Sequence, residues 1–207
     1  MSKIINVYVD TETTGLDPEK HSIVEIAMIF EREGEVTDTF QLFIKPYTGQ
    51  FEVEALDKIK KTIGELEERG VELALARIQL TNKLKEHCDP YNKLDKMKFI
   101  AYNANFDKNF LFKFMETEKY KYAFLSYFWM PFIDTYSLAG VIIGDERVTM
   151  PNFKLGTVCE QFGIEFDEDK AHGALYDTDR TRLLHRQLML YVRAGKAKQQ
   201  ESKNLPF

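Results

Sequence analysis

Cysteine is scarce in this 207-residue sequence: Cys88 and Cys159 are the only two. They have no metal-type spacing, and a single bridge at most excludes a disulfide-stapled secreted fold. A reduced, cytoplasmic protein is the expectation. No apolar run approaches the ~20 residues of a membrane-spanning helix. The first ten residues read as a strand and lack the charged start, long apolar stretch and cleavage site of a signal peptide. Positive charge is also short: 28 Lys and Arg face 33 Asp and Glu, a net charge of −5. That excludes a protein coating duplex nucleic acid through a broad basic surface. A nucleic-acid enzyme of this balance must grip a short segment, with cations neutralising its own acids. Internal repeats and low-complexity stretches are absent. What is present is a core-forming composition, 44% hydrophobic and 13% aromatic, which rules out a disordered or collagen-like chain.

Residues 3–9, 23–30 and 36–45 are rich in Ile, Val and Phe and are separated by turn residues, Gly15-Leu16-Asp17-Pro18 and Glu33-Gly34. They predict three antiparallel strands joined by short loops. Leu56, Ile59, Ile63 and Leu66 recur at helical spacing and predict a helix over 53–69, and 73–87 predicts another. A short strand over 99–102 follows, then a helix capped by Asn103 or Asn105 and running to about 116. Residues 131–134 predict a strand, 135–143 a helix, 144–152 a loop and 154–162 a short helix. The last helix is predicted over 173–193. This order suits an α/β domain over 1–194, with a mixed sheet and helices on its faces. Residues 195–207 are expected to form a flexible polar tail. The aromatics between 99 and 136, from Phe106 through Tyr122 to Trp129, are assigned mainly to the core. A few remain available to stack on bases.

Asp10 and Glu12 stand at the end of the first strand, two residues apart and so on one side. Two such acids repel unless a cation sits between them, and Mg²⁺ or Mn²⁺ prefers oxygen ligands. A solvated strand end is the ordinary alternative. Asp107 shares a helix face with Phe110, Leu111 and Phe114, where an acid must be paired or bound to metal. Its alternative is a place near the helix N-terminus, where the dipole favours it. Asp177 falls in an inward row with Ala174, Thr181, Leu184, Leu188 and Tyr191. Asp179 projects instead with Arg182, Arg186 and Arg193, a solvated charged face. His172 is five residues before Asp177 and off its face, so it belongs to the preceding loop. A neutral imidazole there is a natural general base. His21, His87 and His185 are assigned as structural or surface residues.

Three segments together carry a resemblance: Val9-Asp10-Thr11-Glu12-Thr13-Thr14-Gly15-Leu16, Tyr102-Asn103-Ala104-Asn105-Phe106-Asp107, and His172-Gly173-Ala174-Leu175-Tyr176-Asp177. Ile23-Val24-Glu25-Ile26-Ala27, Ile133-Asp134-Thr135 and Lys154-Leu155-Gly156-Thr157 support it. The sequence resembles the DEDD superfamily of 3′–5′ exonucleases, in the subgroup that uses a histidine (DEDDh). Within it, the sequence looks most like the epsilon proofreading subunit of bacterial replicative DNA polymerase. The second motif often begins with His in this family, and Tyr102 takes that place here. Residues 51–95 match weakly.

The resemblance implies a ribonuclease-H-like fold with a five-stranded mixed sheet flanked by helices. It implies two divalent cations, Mg²⁺ or Mn²⁺, held by Asp10, Glu12, Asp107 and Asp177, with His172 taking the proton from the attacking water. Thr13 and Leu16 match positions that contact the terminal nucleotide. The implied activity is removal of nucleoside 5′-monophosphates from single-stranded DNA 3′ ends, of the proofreading or repair type. An exoribonuclease trimming RNA 3′ ends is the near alternative, and a non-catalytic nucleic-acid-binding module the distant one. The resemblance leaves open whether the enzyme works with a polymerase or stands alone. The end of the tail loosely resembles sliding-clamp peptides and points to Leu205 and Phe207 as clamp contacts.

Overall fold

The structure, a computed structural model, describes residues 4–121 and 123–203, and for 197–203 the backbone only. Three strands open the chain, β1 (Asn6–Thr13), β2 (Ile23–Arg32) and β3 (Glu35–Phe43). They pair antiparallel in sequence order. β4 (Lys98–Ala101) and β5 (Ile133–Asp134) add in parallel on the other side of β1. The sheet order is β3-β2-β1-β4-β5, the five-stranded mixed sheet that was expected. β1 runs past the predicted end at residue 9. β2 continues to supply partners, Asp10 to Ala27, Thr11 to Ile26 and Glu12 to Glu25, so pairing and not apolar content sets the strand's length.

The two-residue period of β1 divides the molecule. Val7 and Val9 face a core built with α3 (Leu73–His87) and α4 (Ala104–Met115), through Leu80, Leu84, Phe110 and Phe114. Tyr8 faces the opposite side with Ile29, Ile100 and Leu175 of α7 (Ala174–Lys203). Asp10 and Glu12 continue the Tyr8 row. α5 (Thr135–Ile143) and α6 (Leu155–Gln161) pack beside α7 around Ala139, Val158, Leu184 and Leu188. Phe99, Phe110, Phe114, Phe124, Tyr127 and Phe128 are buried, as assigned.

Several expectations need correction. Residues 53–69 form two helices, α1 (Val53–Ile59) and α2 (Ile63–Arg69). Lys60 closes α1 in the left-handed region at φ 53°. Thr62 and Glu65 then open α2 with a reciprocal capping box. The apolar spacing bridges this break because Leu56, Ile59, Ile63 and Leu66 all pack on one patch with Val24. Residues 144–149 form a 3₁₀ turn and not an irregular loop. α7 continues to Lys203, beyond the predicted end at 193. Tyr191 leaves the inward row at 51% exposure. Its ring stands edge-on to Phe162, just after α6, instead of reaching the sheet. Tyr122, Leu205 and Phe207 lie outside the described residues, and with the last two the proposed clamp contact. Among the described residues, no helix is long and apolar enough to cross a membrane.

Candidate active site

β4 accompanies β1 only as far as Tyr8, because the chain then turns into α4. The edge of β1 beyond that point is buried without a neighbouring strand, and its N–H groups need other acceptors. Asp107, in the first turn of α4, supplies one. Its Oδ1 accepts from the Thr11 backbone N at 2.9 Å and from Thr11 Oγ1 at 2.8 Å. Asp107 is 2% exposed and shares its buried face with Phe110, Leu111 and Phe114. The cap position matches the sequence reading, but the acceptor does not. Asn103 stands at the N-cap with φ 64° and makes no side-chain cap bond. Asp134 Oδ1, from the end of β5, accepts from Ala104 N instead at 3.1 Å.

Asp177 lies in the first turn of α7. Its Oδ2 accepts from the His172 backbone N at 3.1 Å, while its buried Oδ1 has no hydrogen-bond partner. His172 is in the loop before the helix, as read, and takes the left-handed region at φ 64°. One ligand atom each from Glu12, His172 and Asp177 lie within 4.8 Å of one another. A strand, a loop and a helix therefore converge at the C-terminal end of β1. This is where open α/β sheets place their ligands.

The electrostatics report the crowding. Burial, then the charges of Asp107, Glu12 and Asp177, drive the Asp10 carboxyl well above the usual range. Burial, aided by Asp177 and Glu25, pushes Glu12 up to about 8. Burial takes Asp107 up to about 7 against the pull of its Thr11 hydrogen bonds. It takes Asp177 up to about 6 against the bond from His172. The His172 imidazole is held below its ordinary value by partial burial and then by the charges of Lys58 and Lys60, so it is neutral at pH 7. Four acids whose joint ionisation is opposed by burial and mutual repulsion, and one buried oxygen without a partner, are a fitting donor set for hard divalent cations.

A cavity of about 160 Å³ adjoins these groups, lined by Glu12, Thr13, Leu16, Lys58, Phe106 and His172 among others. Leu16 is exposed beside it, and Thr13 is buried with Oγ1 donating to the Gly15 carbonyl at 2.7 Å. A larger cavity, about 1080 Å³, lies between the start of β1 and α7, lined by Tyr8, Glu31, Lys98 and His185 among others. It contains none of the predicted site residues, whereas Glu12, Thr13, Leu16 and His172 line the smaller one.

Other sequence assignments fare differently. Tyr102 donates its hydroxyl to the Phe153 carbonyl at 2.7 Å. Asp179 holds Arg180 and Arg182, but Arg182 is only 13% exposed and reaches Glu31 at 3.5 Å. Arg186 donates to the Gly34 carbonyl at 2.9 Å. The supposed solvated face is therefore partly a clamp between α7 and the end of β2. His185 is buried against the Tyr8 hydroxyl at 3.1 Å, and burial, then Lys98 and Arg193, lower it to about 4.

Sequence reasoning missed Thr11, Lys58, Phe106 and, above all, Glu25. Glu25 is 3% exposed and directly opposite Glu12. Like Asp107, it is an acid in apolar surroundings, inside the run Ile23-Val24-Glu25-Ile26-Ala27.

Comparison with known proteins gives concordant results. The family described as Exonuclease (RNase_T) matches residues 7–183. Ribonuclease T of Shewanella baltica (strain OS155) is 31% identical over 188 residues, covering 84% of this chain and 77% of that protein. Ribonuclease T of Photorhabdus laumondii is 27% identical over 190 residues, with 84% and 79% covered. Among solved structures, E. coli exonuclease I in complex with a dT13 oligonucleotide has a TM-score of 0.70 at 17% identity over 95% of this chain. This chain spans only 43% of that one. A 3′-exonuclease recognising a histone mRNA stem-loop has a TM-score of 0.66 at 19% identity, with 89% and 63% covered. These structural likenesses concern the fold.

Proposed function

Because the chain belongs to the exonuclease (RNase_T) family, we propose that it is a metal-dependent 3′–5′ exonuclease releasing nucleoside 5′-monophosphates from single-stranded 3′ ends. One observation carries this reading. The carboxylates of β1, α4 and α7 crowd one spot, with Asp177 Oδ1 unpartnered beside a neutral histidine.

Asp10, Glu12, Asp107 and Asp177 would hold two Mg²⁺ or Mn²⁺ ions. Bound there, the ions supply Lewis-acid activation of water and charge stabilisation at the leaving oxygen. His172 takes the proton of the attacking water on a ring nitrogen, and its backbone bond to Asp177 fixes the loop that presents it. Thr11 fixes Asp107 at the β1 edge. Leu16 and the backbone at Thr13 meet the terminal nucleotide. The adjoining slot of about 160 Å³ is small beside the ~300–1,000 Å³ of typical ligand pockets, which suits the end of a strand. We take residues 1–194 as the catalytic unit.

Two polymers fit this site, since the chemistry is common to both. The relatives named ribonuclease T support RNA. The Thr11-Glu12-Thr13-Thr14-Gly15 form of the first motif supports DNA and a proofreading-like enzyme. The deciding experiment uses 5′-labelled single-stranded DNA and RNA oligonucleotides with Mg²⁺ or EDTA, beside Asp10→Ala. A metal-dependent ladder shortening from the 3′ end, absent in the variant, is the expected result. The polymer shortened faster identifies the substrate. Degradation of neither, or an unaffected Asp10→Ala variant, overturns the two-metal reading.

A further inference from the structure

We infer that Glu25 and Lys61 form a charge-setting pair for the cation site, Glu25 standing as a fifth carboxylate and Lys61 cancelling its charge. The inference rests on the exonuclease reading above and deepens it.

Glu25 is an unfavourable residue where it stands. It is 3% exposed in the middle of an apolar strand, and burying a charge is costly unless it is paired. It also lies directly opposite Glu12, and like charges across a sheet destabilise the pair. A valine would fill the position without either cost. The structure provides for its charge instead. Gln41 Nε2, diagonal to it on β3, donates to Oε1 at 2.8 Å. Lys61 Nζ approaches Oε2 at 3.8 Å.

Lys61 is placed there by the break between α1 and α2. It directly follows the left-handed Lys60 and is 21% exposed, with Nζ also donating to the Ile59 carbonyl at 3.5 Å. The two charges meet at Glu12. Glu25 raises Asp10, Glu12 and Asp177, and Lys61 lowers Glu12.

The charge balance explains why both are needed. Four site carboxylates match two divalent cations. Glu25 adds one negative charge, and Lys61 removes it. Without Lys61, the site carries surplus negative charge and binds cations more tightly. Without Glu25, an uncompensated ammonium repels them. Both are positioning residues, acting on the cations through the site carboxylates.

The test is calorimetric titration of Mn²⁺ into the intact protein without substrate, with melting curves in EDTA to verify folding. Glu25→Gln, nearly isosteric, should weaken Mn²⁺ binding by about tenfold, the scale of one unit charge acting across a partly buried site. Lys61→Met, at a partly exposed position, should tighten it by roughly three- to tenfold on the same grounds. The double variant should return to within about threefold of the parent. Opposite shifts in the two single variants are the signature, since loss of a merely structural contact would move both the same way. If the parent binds Mn²⁺ and the single variants shift together or not at all, the inference falls and the exonuclease reading stands. If the parent binds no Mn²⁺, both fall.

Discussion

Asp177 has one oxygen held by the His172 backbone and one buried oxygen with no partner. Its place in an inward helical row was readable from spacing alone, as was that of Asp107. Each is an acid on an apolar face, and the cost of burying it demands a reason. Glu25 obeys the same logic within a strand. Thr11 was not readable, because its role depends on where β4 stops. His172 was readable only as a loop residue, and the reversal at φ 64° supplies what the spacing lacked. As a general base near pH 7 it should contribute ~10²–10⁴ to turnover. His172→Ala should lose that factor in kcat while Mn²⁺ titration of the variant stays near the parent. Unchanged turnover would remove it from the mechanism.

The turn after β1 depends on an unusually close approach. A Cβ on Gly15 would come within 2.6 Å of the His21 ring. That ring is buried, with Nδ1 accepting from the Asp17 backbone N at 3.0 Å. The glycine read from sequence as a turn signal is thus also a packing requirement, and His21 is the floor of the motif loop. Gly15→Ala should cost about 1–3 kcal/mol by overpacking, measured as a lower urea midpoint with unchanged slope. Shortening the ring in Gly15→Ala/His21→Ala should cost less than the sum of the two single losses. The α1–α2 break taught the opposite lesson. Periodicity read through it as one helix, because two helices on one patch preserve the apolar spacing, and the left-handed Lys60 and the Thr62–Glu65 capping box mark the division.

The whole molecule carries the consequence of gathering these acids. Glu12, Asp107 and Asp177 are raised to about 8, 7 and 6, whereas unfolded carboxyls titrate near ~4. Between those limits the folded protein binds more protons than the unfolded chain. By linkage, the stability of the metal-free protein falls as pH rises through that window. Melting in EDTA should therefore occur at lower temperature at pH 8.5 than at pH 5.5. Mn²⁺ should restore stability mainly at the higher pH, because it replaces the protons. Asp107→Asn, which keeps an acceptor for Thr11, should flatten the slope. A metal-free protein that gains stability toward pH 8.5 would contradict the crowded site.

Much of this protein was settled by its sequence alone: the α/β class, the early antiparallel strands, and the four acids and histidine as candidates. Each follows from local rules of period, burial cost and turn chemistry, which act within a few residues. What only the tertiary structure decided lies between distant segments. β4 stops at Tyr8 and leaves an edge for Asp107. β2 sets Glu25 opposite Glu12. The break after Lys60 sets Lys61 beside Glu25. Strand register and helix docking minimise the free energy of the whole core, so the charges they bring together cannot be read from any single stretch of chain.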